Sequence, residues 1–362
     1  MPGFAARGSG RALAALRAWL LRGEAPCPRD ASEGRAILDA AVSQGLAGLL
    51  AGALDAWPED LRRRLESMRR SLLFRGVQQL DTLAWASDSL AREGLRSLPL
   101  KGAALAEDLY ASVADRPMCD VDLLALDDFD ASLRLLEARG LRLVDRGDHA
   151  AALRCEGGVV LELHESVTSC PGLFPAHHEA LWARSREARG QVLRLPSAED
   201  LLVQLGLHAA FQHGLVLTLV QYLDFRRLLE RPLDPARVTT IAAGMGAEAA
   251  LAVALEAAAV LVAAPFPEAL RRCLAPALPE RDRRWLSRWL SDPERCIAPR
   301  EPPLGRLRWM LAAGRRRALV GGTLLGRRGV DRGLPQRAFA LAARWGVPTL
   351  RQLLPAVRRP SA

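Results

Sequence analysis

Residues 97–126 read SLPLKGAALAEDLYASVADRPMCDVDLLAL. The stretch opens as a short apolar run ending at Lys101-Gly102. It continues with helix-like spacing to Tyr110 and closes on Asp120-Val121-Asp122 inside a second apolar run. Side chains alternate along a strand, so Asp120 and Asp122 are predicted to share one face. Two carboxylates so placed repel each other unless a cation lies between them. A glycine at the mouth of a helix bares backbone N–H groups, and the lysine beside it adds positive charge; both suit a phosphate. Together these features point to a metal-dependent site for a nucleotide's phosphates.

The composition sharpens one of these residues. Of the 50 basic residues 49 are Arg, and Lys101 is the only Lys. Where coding bias fills nearly every generic basic position with Arg, a Lys beside the glycine suggests that a compact ammonium is wanted there. The chain of 362 residues is long enough for two or three domains with a sizeable core. Half of it is apolar and a quarter charged, a globular composition, and abundant Ala, Leu and Arg favour helix. The net charge of +9 is uneven: residues 267–362 hold 21 Arg against 7 acidic residues, which leaves the first 266 net negative. That basic region fits contact with nucleic acid, anionic lipid or an acidic partner, and it fits a solvated helical face. The absence of an aromatic or RNA-binding signature favours the second reading.

Cys27, Cys119, Cys155, Cys170, Cys273 and Cys296 show no paired spacing and read as reduced thiols of a cytoplasmic protein. Arg17 interrupts the apolar N-terminal segment, which therefore reads as an amphipathic helix rather than a signal peptide. The longest apolar stretch, residues 249–266, contains Glu256 and is marginal in length, so a buried helix is expected and no membrane span.

The pattern divides the chain into four regions. Residues 1–94 show helical spacing, including a long helix over about 59–92. Residues 95–195 change period: strands are expected at 98–100, 120–126, 141–144, 150–155 and 159–164, with an edge strand at 191–195. Helices are expected at 103–110 and from Asp127-Asp128 to Arg139, with Gly140 as a stop. Glu156-Gly157-Gly158 is a hairpin signal. Residues 196–266 read as helices at 198–212, 215–230, 235–246 and 248–264, opened by Ser197 as a cap with Asp200 in the capping-box position. Residues 267–362 read as Arg-rich, Pro-interrupted helix, in which Trp285, Trp289 and Trp309 are expected in the core. The predicted class is α+β: a small mixed sheet flanked by N-terminal and C-terminal helical regions.

An Asp-x-Asp pair needs a third ligand, and the strand VVLELH (159–164) offers Glu162, with His164 on the same face. A charge inside a buried strand is costly unless paired or bound to metal. Three carboxylates on adjacent strands would suit Mg²⁺, which prefers oxygen and leaves positions for substrate phosphates; Mn²⁺ is a second option. The bland alternative makes the two aspartates strand-edge caps and Glu162 an arginine's partner.

LKGAALAEDLY, DRPMCDVDLLAL, ARGLRLV and VVLELHE together resemble the polymerase-β-like nucleotidyltransferase superfamily, and more closely its bacterial "uncharacterised nucleotidyltransferase" family. The pattern covers about residues 95–232 and is met here by Lys101, Gly102, Tyr110, Arg116, Asp120, Asp122, Glu162 and His164, with His208 and Asp224 further on. The resemblance implies the superfamily's nucleotidyltransferase core. It also implies transfer of an NMP group, AMP by expectation, from a nucleoside triphosphate to a hydroxyl of a small molecule or protein, with release of pyrophosphate. Asp120, Asp122 and Glu162 would hold metal. Lys101, Gly102, Ala103 and Arg116 would hold phosphates. His164, His208, Asp224 and Tyr110 would support the site or the acceptor. Departures from the pattern are Ala103 where a hydroxyl or glycine is usual, Cys119 where Ser is expected, and Glu162 where Asp is common. They admit an alternative: a nucleotide-binding or scaffolding module of the same fold without turnover. His208 and Asp224 are expected to meet as a hydrogen-bonded pair beneath the site, with His208 as acceptor-side base the other option. His149, His177, His178 and His213 are expected at loops or the surface without partners.

Overall fold

In the computed structural model, which describes residues 9–297 except 53–56, 148, 169–173, 176 and 189–192, helices at both ends enclose a five-stranded sheet. The N-terminal helices are α1 (Ser9–Arg22), α2 (Ala31–Ser43), α3 (Ala47–Leu50) and α4 (Glu59–Arg92). Asp30 caps α2 by accepting the N–H groups of Ser32 and Glu33, each at 2.9 Å. The helix α4 turns Leu61, Leu65, Leu83, Ala86 and Leu90 inward and leaves Arg63, Arg64 and Arg70 in solvent, as its spacing requires.

The sheet follows as β1 (Ser97–Pro99), α5 (Lys101–Leu109), β2 (Val121–Ala125), α6 (Phe129–Ala138), β3 (Arg142–Arg146), β4 (Ala150–Arg154) and β5 (Val160–His164). Its order is β1-β2-β5-β4-β3, with β2 and β5 parallel and the other pairs antiparallel. Pro99 is tolerated because β1 is an edge strand. Asp128 caps α6 through the N–H of Ala131 at 2.8 Å, and Gly140, at φ +102°, stops it. Gly158 turns the β4–β5 hairpin at φ +81°. One face of the central strands, Val121, Leu123, Ala125, Leu161 and Leu163, enters the main core beside α4 and α6. On the other face Leu98, Leu100, Leu124 and Leu126 pack on Leu181 of α7 (His178–Arg184). Asp122 alternates onto this second face, beyond the apolar patch.

Two short strands, β6 (Arg186–Glu187) and β7 (Arg194–Leu195), form a separate ribbon. The edge strand expected at 191–195 therefore does not extend the main sheet: its described part takes β6 as partner instead. Then come α8 (Ala198–Leu207), a π-helical turn (His208–Gln212), α9 (Leu219–Leu229), α10 (Pro235–Met245), α11 (Glu248–Val262), α12 (Glu268–Leu274), α13 (Glu280–Leu290) and α14 (Glu294–Ile297). Ser197 caps α8 through Asp200 N–H, but the Asp200 carboxylate binds Arg184 at 2.7 and 2.9 Å and so does not close a capping box. The expected helix over 198–212 gives way to π geometry at His208. The next helix starts at Leu219 rather than 215, because Gly214 and Leu215 are both left-handed and Thr218 with Gln221 forms a capping box. Trp285 and Trp289 stack at 5.3 Å and pack on the core. Trp309 and the chain from 298 onward, which includes most of the arginine-rich region, lie outside the described residues. Among the described residues no helix is long and apolar enough to cross a membrane.

The position of the N-terminal helices supplies their task. They grip the loop that delivers Asp120. Gly48 lies so close to the Ala114 carbonyl that a Cβ there would overlap its oxygen, and a Cβ on Gly76 would press on the Val113 side chain. Gln79 donates to Met118 O at 3.2 Å and Arg75 to Cys119 O at 3.3 Å. Gly48→Ala must push this loop outward. It is expected to destabilise the fold by roughly 1–3 kcal/mol, read as a lower midpoint of thermal unfolding; an unchanged midpoint contradicts this packing.

Candidate functional site

The parallel register sets Asp122 on β2 opposite Glu162 on β5, with His164 two residues along the same strand. At the end of β1 the N–H of Leu100 donates to Asp122 O at 3.0 Å, which ties the start of α5 to the same point of the sheet. Lys101 is the first residue of α5, and its φ of +48° lies in the left-handed region. That conformation costs a residue with a Cβ about 1–2 kcal/mol. The helix therefore begins two residues earlier than its spacing suggested, through a strained turn.

The strained turn aims the ammonium at the acids. Lys101 Nζ donates to Asp122 Oδ1 at 2.6 Å, and His164 Nε2 donates to the same oxygen at 2.7 Å. His164 Nε2 also lies 3.5 Å from Glu162 Oε2. Burial alone would raise the Asp122 carboxyl, but the Lys101 ammonium and the His164 hydrogen bond outweigh it and hold its pKa well below the usual range. Burial would lower His164, yet its bonds to Asp122 and Glu162 raise it above 6.5. Glu162 is lowered, chiefly by His164. Asp120 sits just before β2, partly exposed, and is raised by burial and by the like charges of Asp122 and Glu162, with Lys101 opposing.

Ligand atoms of Asp122, Glu162 and His164 lie within 4.8 Å of one another, the described group able to hold a metal ion. Two carboxylates suit a divalent cation of the Mg²⁺ or Mn²⁺ kind, and the imidazole would join them, favouring Mn²⁺, only after Nε2 gives up its proton. Asp120 shares the field of this group but is not part of its tight cluster.

A second layer lies behind the turn. Arg116 grips Asp224 of α9 with Nε at 3.0 Å and a terminal nitrogen at 2.8 Å, and Tyr110 donates its hydroxyl to the same carboxylate at 2.7 Å. Both charged partners are buried. Arg116 also donates to Pro117 O at 3.0 Å. A Cβ on Gly102 would stand 3.1–3.3 Å from this guanidinium, so the glycine admits Arg116 beneath the turn. Ala103 is buried in the core. The Arg227 guanidinium covers the Tyr110 ring at 4.2 Å.

The expected His208–Asp224 pair does not form, because Asp224 is taken by Arg116 and Tyr110. His208 Nδ1 instead meets Gln212 Oε1 at 2.6 Å across the π turn, and its ring lies edge-on to His213 at 4.3 Å. Burial and His213 push its pKa well below 6.5, and Lys101 adds to this. His149 and His213, expected to have no partner, thus belong to ring pairs, His149 with His164 at 6.0 Å. His178 Nδ1 donates to Leu126 O at 2.9 Å. The hairpin register, which sets Ala150 opposite His164, was the available signal for His149.

A family model described as "Uncharacterised nucleotidyltransferase" matches residues 30–263. No curated protein matches the chain closely enough to inform its function. Among solved structures, an antigenic nucleotidyltransferase-like protein from Paracoccidioides brasiliensis is 20% identical; the match covers 59% of this chain and 93% of that one at a TM-score of 0.31, too slight an overlap to support an argument.

Two outcomes test this geometry. In an NMR titration of the imidazoles, His164 is expected to remain mostly protonated at pH 6.5 and His208 to be neutral there; the reverse order contradicts the hydrogen-bonding described. By linkage, the stability His164 contributes is complete below 6.5 and fades as pH rises through its folded value. Asp224→Ala strands the buried Arg116 and is expected to cost about 3–5 kcal/mol in chemical unfolding; a loss below about 1 kcal/mol, the scale of an exposed pair, contradicts a buried one.

Proposed function

The chain belongs to the uncharacterised nucleotidyltransferase family, and on that premise we propose that it transfers an NMP group, AMP in our reading, from a nucleoside triphosphate to a hydroxyl of a small molecule or protein. The observation that supports this most is the placement of Asp122 opposite Glu162 on parallel strands, with the chain's only lysine on Asp122. In this reading Asp122 and Glu162, joined by Asp120, hold Mg²⁺ or Mn²⁺. When bound, the ion neutralises carboxylates and triphosphate and so eases displacement at phosphorus.

The remaining roles follow from the side chains. Lys101 and the backbone N–H groups at Gly102 and Ala103 receive the β- and γ-phosphates at the start of α5. The acceptor oxygen forms a bond to the α-phosphorus, the bond to pyrophosphate breaks, and the hydroxyl proton leaves to a base or solvent. His208, held neutral with Nδ1 committed to Gln212, offers Nε2 as such a base on the acceptor side. His164 orients Asp122. Arg116, the phosphate ligand suggested by resemblance, is better assigned to holding Gly102 in place, because all three of its nitrogens already bond Asp224 or Pro117 and it lies buried against Gly102. Most of the acceleration in this scheme comes from positioning and from charge neutralisation.

One observation favours a second reading. Ala103 places a buried methyl where a hydroxyl would contact phosphate, which fits a nucleotide-binding module without turnover. Calorimetry with a nucleoside triphosphate, with and without Mg²⁺, separates these from a chain that does neither. Metal-dependent binding that disappears in Asp120→Ala/Asp122→Ala is expected; binding indifferent to metal and to both substitutions contradicts both readings. Mass spectrometry of cell extract incubated with isotopically labelled ATP is expected to show a new adenylylated species. Binding without any such product favours the module.

A further inference from the structure

The cation already at the carboxylates is part of the chain. Asp122 Oδ1 accepts from Lys101 Nζ at 2.6 Å and from His164 Nε2 at 2.7 Å, so both of its lone-pair directions are taken. The same Asp122 carboxylate belongs to the group able to hold a metal. A metal ion and the ammonium therefore meet at one carboxylate, where their like charges oppose each other. The Lys101 side chain is 22% exposed against 6% for that of Asp122, so the ammonium reaches the acid from the mouth of the site and can withdraw without unpacking the core. Its backbone is held left-handed at the very start of α5, where the helix N-terminus favours an anion alongside.

We propose that Lys101 is the resident cation of the site, and that exchange of its ammonium from Asp122 to a triphosphate makes metal and nucleotide bind as a cooperative pair. The inference rests on the nucleotidyltransferase reading for the identity of the anion, though not for the competition at Asp122. Metal alone must strip Lys101 from a buried acid and leave the ammonium without an anionic partner. Nucleotide alone must draw Lys101 away and leave Asp122 with His164 only. When both arrive, the metal takes the carboxylate and the triphosphate takes the ammonium, so no charge is left unpaired. The coupling is reciprocal: each ligand tightens the other by the same factor.

Because Lys101 is the only lysine, protein labelled with ¹⁵Nζ-lysine has one ammonium resonance. In the wild-type chain this resonance is expected to shift when Mg²⁺ binds, at concentrations on the order of tenfold lower with a non-hydrolysable ATP analogue present than without it. Mn²⁺ binding followed by electron paramagnetic resonance is expected to be on the order of tenfold tighter in Lys101→Met than in wild type without nucleotide, and the analogue tightens it less than in wild type. The proposal is overturned if Lys101→Met binds Mn²⁺ no tighter than wild type, or if the Nζ resonance stays in place while metal binds. If the wild type binds metal but never the ATP analogue, the nucleotidyltransferase reading fails; the Mn²⁺ comparison still decides the competition at Asp122.

Discussion

A carboxylate buried in a sheet must be compensated, and here a single oxygen, Asp122 Oδ1, receives both an ammonium and an imidazole. Moving such charges out of water costs several kcal/mol each, and mutual attraction recovers it only when the geometry is good and the remaining valences are filled. The surroundings of Asp122 answer to that constraint. The parallel β2–β5 register brings Glu162 alongside, and the β1 end hooks onto its backbone. The left-handed turn at Lys101 is a local cost accepted so that an ammonium can reach the acid from the chain's own next element. The charge of Asp122 is thus met from within the chain.

The elements around the sheet keep that balance in register. Arg116 joins the loop before β2 to α9 through Asp224, and its guanidinium lies under Gly102, so the turn at Lys101-Gly102 rests on a buried ion pair. The helices α3 and α4 press on the same loop from the other side through Gly48, Gly76 and Gln79. The α-helical regions on both sides of the sheet thus converge on the few residues between Ser112 and Asp122. The family match, which begins at residue 30 and ends at 263, takes in all of these supports.

Much of the candidate site's geometry is legible in sequence because it is written in local rules. Strand alternation and flanking apolar residues marked Asp122, Glu162 and His164, composition marked Lys101, and caps and stops marked α6 and α8. What was hidden depends on partners distant in sequence. Arg116 reads as a phosphate ligand until Asp224, 108 residues away, is seen to occupy it. The same contact removes Asp224 from His208, whose neighbours Gln212 and His213 become its partners through a π turn that no propensity announces. The early start of α5 is not legible in sequence because a left-handed lysine contradicts intrinsic preference, and such violations gather at functional sites.

The most direct test is a crystal structure of the full chain with Mn²⁺ and a non-hydrolysable nucleoside triphosphate, read by the anomalous signal of the metal. A manganese peak bound by Asp122 and Glu162 is expected, with Lys101 Nζ moved from Asp122 to a phosphate oxygen. Metal and nucleotide bound elsewhere, with the Lys101–Asp122 contact unbroken, would contradict it.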